Sequence, residues 1–335
     1  MLMNIQPMEF FDEVVNPDLD EVSALMRANW APPCWLYERD LLAMHIMRPT
    51  ADPTMAVGLR AKSGELASYL AFVPMRLRVE GRIYKAVFAS FFTVSGNFRR
   101  HRLSDRQQGL MVDRARDHGY EVYTAVTVAG TPANQTVARA FGARGLPVRA
   151  AHNFRYLAGA GAIVSSRLAA SDTGHVRTYA PSDEGTAFAL LSAAAARAPL
   201  AHVVEREDVD FYLRSRPRIK TYVYEDEGRV LGLMSVSLLP VLSGRVGLNA
   251  YVEALALGRL DPAARTAFVD TVLRSVLDEG AEAIMVPDTG CGDLETFRRL
   301  GFRAAPRKLR LLLAPLRADV TDLPEAVDGF CLDVF

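Results

Sequence analysis

Between Met55 and Ser95 three apolar, strand-like segments follow one another through turns so short that they can only reverse the chain. Met55 to Arg60 is followed by Lys62-Ser63-Gly64, Leu66 to Val79 (interrupted at Pro74) by Glu80-Gly81, and Ile83 to Ser95 completes the set. Parallel neighbours need a crossover of a dozen residues or more, so these segments predict an antiparallel meander. Two helix-like stretches precede it, Asp18 to Asn29 and Tyr37 to Met47, and a third, Ser104 to His118, follows at once. A buried strand (Glu121 to Val128), a short helix (Pro132 to Ala143) and a closing strand (Asn153 to Leu157) come next.

After Gly174 the same order returns. A strand at His175 to Tyr179 leads to helices at Asp183 to Arg197 and near Glu207 to Arg214, then to strands at Lys220 to Tyr224, Arg229 to Leu239 and Val246 to Leu257. A long helix (Asp261 to Glu279), a strand (Ala283 to Val286), a helix (Asp293 to Leu300) and a strand (Lys308 to Leu313) close the series. Between the two runs lies GAGAIVSSRLAASDTG, Gly159 to Gly174, whose small residues read as a junction. The expected architecture is a mixed α/β fold of two duplicated halves, residues 1–158 and 175–335, joined by a linker over 159–174. Each half is a mostly antiparallel twisted sheet flanked by helices.

The 335 residues suit two domains, and with 50% hydrophobic and 23% charged residues the chain can bury sizeable cores. Thirty-nine basic residues balance thirty-nine acidic ones, which argues against a global nucleic-acid or anionic-membrane surface. Cys34, Cys291 and Cys331 are too few and scattered for a disulfide framework or a zinc site, and no Gly-x-Gly-x-x-Gly follows a strand. The first fifteen residues carry acids before any apolar run, so no signal peptide is expected, and no apolar segment reaches about 18 residues. A soluble cytoplasmic protein without a metal is the expectation.

The most site-like run is Phe91-Phe92-Thr93-Val94-Ser95-Gly96-Asn97-Phe98-Arg99-Arg100-His101-Arg102-Leu103-Ser104. A strand enters a turn dense in arginine and a helix starts directly after it, with Ser104 and Gln107 spaced as a capping box. Backbone N–H groups, a helix N-terminus and arginines at one point attract phosphate. A solvated basic turn paired with Asp105 and Asp113 is the plainer alternative. Thr131-Pro132 with Asn134 reads as helix-start chemistry.

Together these residues resemble the GNAT acyltransferase superfamily, whose pyrophosphate loop has the form Arg-x-x-Gly-x-Gly/Ala. Arg99 matches, Arg102 and Ser104 replace the glycines, and Asn134, Phe141 and Gly145-Leu146 correspond to the later Asn-to-Tyr helix and Gly-Phe ending. The superfamily's tyrosine general acid is therefore missing. Phe98 to Ser104 is closer to the N-myristoyltransferase branch, whose loop reads Leu-Arg-x-Lys-Arg-Leu-Ala, with His101 at the lysine. Trp35-Leu36-Tyr37, Val57-Gly58-Leu59-Arg60, Arg76-Leu77-Arg78-Val79, Tyr123-Thr124-Ala125 and Thr131-Pro132 extend the resemblance over residues 18–157. Beyond Gly174 it rests on the order of elements and Leu300-Gly301-Phe302.

The resemblance implies an acyl-CoA-dependent N-acyltransferase with two GNAT-like halves. It assigns acyl-CoA contacts to Thr93, Val94, Arg99, Arg100, His101, Arg102, Leu103, Ser104 and Asp105. Backbone N–H groups at Phe91 and Phe92 would stabilise the oxyanion, Ser90 and Thr124 would hold the incoming amine, and the carboxylate of Phe335 would take its proton. The second half, with Asp288 and Cys291 as its most site-like residues, would supply the acceptor groove. The implied partners are an acyl-CoA donor and an amine-bearing peptide or small-molecule acceptor, with no nucleic acid and no stable membrane insertion. Peptide lipidation with a fatty acyl group is the leading expectation. A short-chain acetyltransferase on a small amine or antibiotic, and a non-catalytic protein that binds acyl-CoA or acyl carrier protein, are the alternatives.

Overall fold

The computed structural model describes residues 11–169, 174–292 and 294–332. The chain opens with β1 (Phe11–Val15), α1 (Leu19–Asn29), β2 (Cys34–Trp35) and α2 (Arg39–Ile46), followed by the meander β3 (Ala56–Ala61), β4 (Leu66–Val79) and β5 (Arg82–Val94). Next come α3 (Leu103–Asp117), β6 (Val122–Val128), α4 (Pro132–Gly142), β7 (Arg149–Ala160) and α5 (Gly161–Ser165). The second part has β8 (Val176–Thr178), α6 (Glu184–Ala196), β9 (Leu200–His202), β10 (Ile219–Asp226), β11 (Arg229–Ser243) and β12 (Arg245–Ala256). It closes with α7 (Pro262–Asp278), β13 (Ala283–Asp288), α8 (Glu295–Arg299), β14 (Arg303–Ala304), β15 (Leu309–Pro315) and β16 (Phe330–Cys331). The helix expected near Glu207 to Arg214 is a 3-10 turn, Arg206–Asp208, and a π-turn, Phe211–Ser215.

One sheet carries both parts, in the order β1-β3-β4-β5-β6-β15-β7-β13-β12-β11-β10-β8. Its neighbours are antiparallel except at β5–β6 and β12–β13. The parts interlock. β15 lies between β6 and β7, and the far end of β7 pairs with β13, Arg155 opposite Asp288 and Ala160 opposite Ala283.

The Ala/Gly/Ser-rich stretch read as a linker opens instead inside β7 and continues as α5. Its small residues are there for close packing: a Cβ on Gly159 would come within 2.6 Å of Val164 and 2.8 Å of Phe302. Residues 170–173 of that stretch lie outside the described part of the chain.

Each face of the sheet is covered by helices whose apolar residues recur every three or four positions. α3 and α4 bury Met111, Val112, Val137 and Phe141 on one face, with the Phe141 ring 4.8 Å from Tyr123. α1 and α2 cover the other through Val22, Leu25, Leu41 and Leu42, and the C-terminal segment adds Phe330 and Leu332. α1 starts cleanly because the Asp18 carboxylate accepts from the Asp20 N–H at 2.8 Å. Among the described residues no helix is long and apolar enough to cross a membrane.

Candidate active site

β5 and β6 run side by side only from Ala86–Val122 to Ala89–Ala125, and then part. At that point β5 carries a bulge. Ser90 faces Ala71 and Thr93 faces Tyr69, so three steps along β5 match two along β4, and neither Phe91 nor Phe92 has a cross-strand partner among the described residues. Phe91 adopts φ +62°, a left-handed conformation that costs a residue with a side chain about 1–2 kcal/mol. Thr93 braces it: its hydroxyl donates to the Phe91 carbonyl at 3.0 Å and accepts from Trp30 Nε1 at 2.9 Å. The Phe91 ring packs edge-on against Tyr37 (5.0 Å between centroids) and His45 (5.7 Å).

Beyond the bulge the chain makes a 3-10 turn, Gly96–His101, then reverses at Arg102 (φ +54°) into α3. Leu103, buried beside Leu59 and Ala67, anchors the helix start, and Val94 and Phe98 pack against that group. The predicted capping box does not form. Gln107 is drawn into the core, where it accepts from the Ser68 hydroxyl at 2.8 Å and donates to the Val57 carbonyl at 3.0 Å, and no described side chain caps α3. Of the first-turn N–H groups, that of Asp105 donates to the Arg102 carbonyl at 3.1 Å, and none meets a side-chain cap among the described residues.

Arg99 is exposed and has no partner among the described residues. Arg102 lies 3.3 Å from Asp105, and Asp105 is held more firmly by Arg139, at 2.8 and 3.1 Å. Asp113 pairs with Arg144 rather than with the loop. The side chains of Arg100 and His101, and the whole of Phe335, lie outside the described part of the chain.

Several expected roles meet competing contacts. The buried Thr124 hydroxyl donates to Leu312 O at 3.1 Å, so only its lone pairs could meet an amine. Ser90 stays within the β4–β5 pairing, opposite Ala71. Thr131 occupies the N-cap of α4, but its hydroxyl turns back to Val128 O at 2.8 Å and caps nothing. Asn134 closes the end of β6, donating to Val128 O at 3.0 Å and accepting from Thr127 at 2.5 Å. Asp288 is bridged to Arg298 at 3.1 Å, and burial pushes the Cys291 thiol above its usual range, away from a reactive thiolate. Among the described residues no group of His, Cys, Asp or Glu is placed to hold a metal. No local pattern marks Trp30 or His45, and Tyr37 enters only as part of the resemblance, because the tertiary fold alone brings the three to the bulge.

The second part repeats the geometry and blocks it. β12 has a bulge at the corresponding place, with Ala254 opposite Ser235 and Val252 opposite Val236. The extra residue there is Glu253, whose buried carboxylate is ion-paired with Arg216 and hydrogen-bonded by Ser237. α7, the counterpart of α3, is capped by Asp261, which accepts from Ala264 N at 2.8 Å, and has Pro262 in its first turn. A carboxylate and a missing N–H leave no anion site there.

No protein-family model matches the chain, and no curated protein matches it in sequence. Solved structures match its fold. Saccharomyces cerevisiae N-myristoyltransferase with bound myristoyl-CoA aligns with a TM-score of 0.77 at 16% identity, over 92% of this chain and 79% of that one. The same yeast enzyme with bound myristoyl-CoA and inhibitors gives 0.76 at 17% identity, over 92% and 81%. A GCN5-related N-acetyltransferase from Kribbella flavida gives 0.56 at 14% identity, over 92% and 72%. The chain thus has a fold like that of N-myristoyltransferase.

Proposed function

We propose that the protein is an acyl-CoA-dependent N-acyltransferase that moves a fatty acyl group onto an amine of a peptide or peptide-like acceptor. The observation that carries this reading is the unpaired bulge at Phe91–Phe92, set where β5 and β6 part and followed directly by the uncapped α3 N-terminus with its arginines. Pyrophosphate would sit at the turn from Arg99 to Ser104, and the thioester would reach into the gap between the strands. The aromatic wall of Trp30, Tyr37 and Phe91 would line the acyl chain.

The amine attacks the thioester carbonyl, and the N–H groups of Phe91 and Phe92 hold the oxyanion, at about 3–4 kcal/mol per donor. Collapse of the intermediate forms the amide and releases CoA thiolate. The ammonium proton passes to a base, for which the Phe335 carboxylate is proposed, and the thiolate takes up a proton. The first half, residues 1–158, binds the donor, and the second, residues 175–335, forms the acceptor groove.

Alanine at both Arg99 and Arg102 is expected to weaken acyl-CoA binding tenfold or more, at about 1.5–3 kcal/mol for each charged hydrogen bond. Both side chains are exposed, so the ligand-free melting temperature should stay the same. Unchanged acyl-CoA affinity in that variant removes the loop from the site.

Calorimetry with acyl-CoA is expected to give one site per chain, because Asp261 and the Glu253–Arg216 pair occupy the corresponding places in the second part. Two equivalent sites would contradict this division. Native mass spectrometry of protein purified without added ligand reads the acyl chain length: a bound long-chain acyl-CoA supports the fatty donor, whereas acetyl-CoA alone replaces it with a short-chain one.

A further inference from the structure

We infer that a cleft beside β7 holds an acidic residue of the acceptor peptide, about four to five positions from the amine that is acylated. This rests on the acyltransferase reading and adds the acceptor's charge pattern to it.

The cleft, of about 320 Å³, lies where β13 ends beside β7, and His152, Arg155, Asp288 and Lys308 are among its lining residues. Strand register places it on the same sheet edge as the candidate active site. Ala89 is level with Ala125, Val128 with Leu309, Leu309 with Phe154, and Arg155 with Asp288. The path from the bulge to the cleft crosses from β5 over β6 and β15 to β7. Three steps of roughly 4.8 Å give about 14 Å, and more where β5 and β6 part. An extended peptide advances about 3.4 Å per residue, which yields the spacing.

The lining favours an anion. Among the described residues Asp288 is the one acid of the lining, and it already bridges to Arg298 at 3.1 Å. Arg155 donates to the carbonyls of Ala305 and Pro306 at 2.9 and 2.8 Å, neutral partners, and forms no ion pair with a described residue. Lys308 and the adjacent Arg307 are exposed, without an ion-pair partner among the described residues. From Arg298 to Arg310 the sequence holds Arg298, Arg299, Arg303, Arg307, Lys308 and Arg310 and no acid, in a chain whose net charge is zero. An acidic side chain held there would draw the N-terminal amine toward Phe91 and disfavour lysine-rich acceptors.

The test uses fluorescently labelled synthetic peptides: Gly-Ala-Ala-Ala-Glu-Glu-Ala, its Lys-Lys counterpart, and an isomer with both glutamates directly after the glycine. Anisotropy with the full chain should show the first peptide binding at least tenfold more tightly than either of the others. The Arg307→Glu/Lys308→Glu double variant should abolish or reverse the preference over lysine. Equal affinities, a lysine preference, an unchanged order in the variant, or more effective displacement by a single-stranded oligonucleotide would each overturn the proposal. Acyl-CoA calorimetry on the same samples separates the two readings. A wild-type protein that binds no acyl-CoA sinks the acyltransferase while the peptide order is still read. Retained acyl-CoA binding with no peptide preference sinks only the cleft.

Discussion

Two glycines appended after Phe335 are expected to lower acyl transfer about a hundredfold while acyl-CoA binding persists, a loss within the range of general base catalysis. An N-terminal amine, with an unperturbed pKa near 8, is largely protonated at neutral pH and must shed a proton before it can attack, and an α-carboxylate, with an unperturbed pKa near 3.5, becomes a better base as burial raises it. The described end of the tail is anchored in the fold. β16 pairs in parallel with β9, Phe330 packs 5.0 Å from Phe154, and Phe330 and Leu332 are both buried. The extension moves the carboxylate without removing an apolar anchor, so a folding defect should not accompany it. Single-turnover transfer and acyl-CoA calorimetry, run side by side, make the distinction. Near-normal transfer would end the proposal. Glu253 and Asp288 would then be poor substitutes, because each is engaged by an arginine, and attention would shift to His45, which lies in ring contact with Phe91.

What was legible in the sequence was what is local. The meander, α3 and the arginine turn announce themselves through short turns, alternating strands and a helical period, all within a few residues. The bulge depends on Thr93 meeting Trp30, 63 residues earlier, and the place of His45 depends on α2 folding across β5. No local pattern encodes either. The exchange of β15 and β7 between the two parts is hidden for the same reason: Thr124 and Leu313 are neighbours in the sheet although 189 residues separate them.

Two misreadings have a shared physical origin. Ser104 with Gln107 has the right spacing for a capping box, but Ser68 and Val57 offer Gln107 better partners inside the core. Small residues at Gly159 and Gly161 satisfy the composition of a linker, yet they are small because Val164, Phe302 and the carbonyls of Ala281 and Glu282 approach too closely for a side chain. In both cases tertiary contact reassigns residues whose local preference points elsewhere.

Glu253→Ala is expected to destabilise the protein by about 3–5 kcal/mol, the range for removing one partner of a buried ion pair. The Arg216 and Glu253 side chains are only 2% and 3% exposed, and Arg216 also lies 5.8 Å from the Tyr212 ring centroid. Truncating the carboxylate takes this ion pair from the buried Arg216 guanidinium, and the Ser237 hydroxyl loses its acceptor. The pair itself need not stabilise the fold, since apolar residues of similar volume often replace such pairs at no loss. The double variant Arg216→Met/Glu253→Leu should therefore recover most of what the single variant loses. Urea denaturation of wild type, single and double variants reads this directly. A Glu253→Ala protein as stable as wild type would show that the pair is not buried as described. A double variant worse than the single one would show that the charges fix this bulge in a way apolar packing cannot. In the first part the matching position is Phe91, an apolar residue, and among the described residues no ion pair fills the bulge. The same backbone device is thus left open in one half and plugged in the other, so acyl-CoA binding should survive the double substitution unchanged.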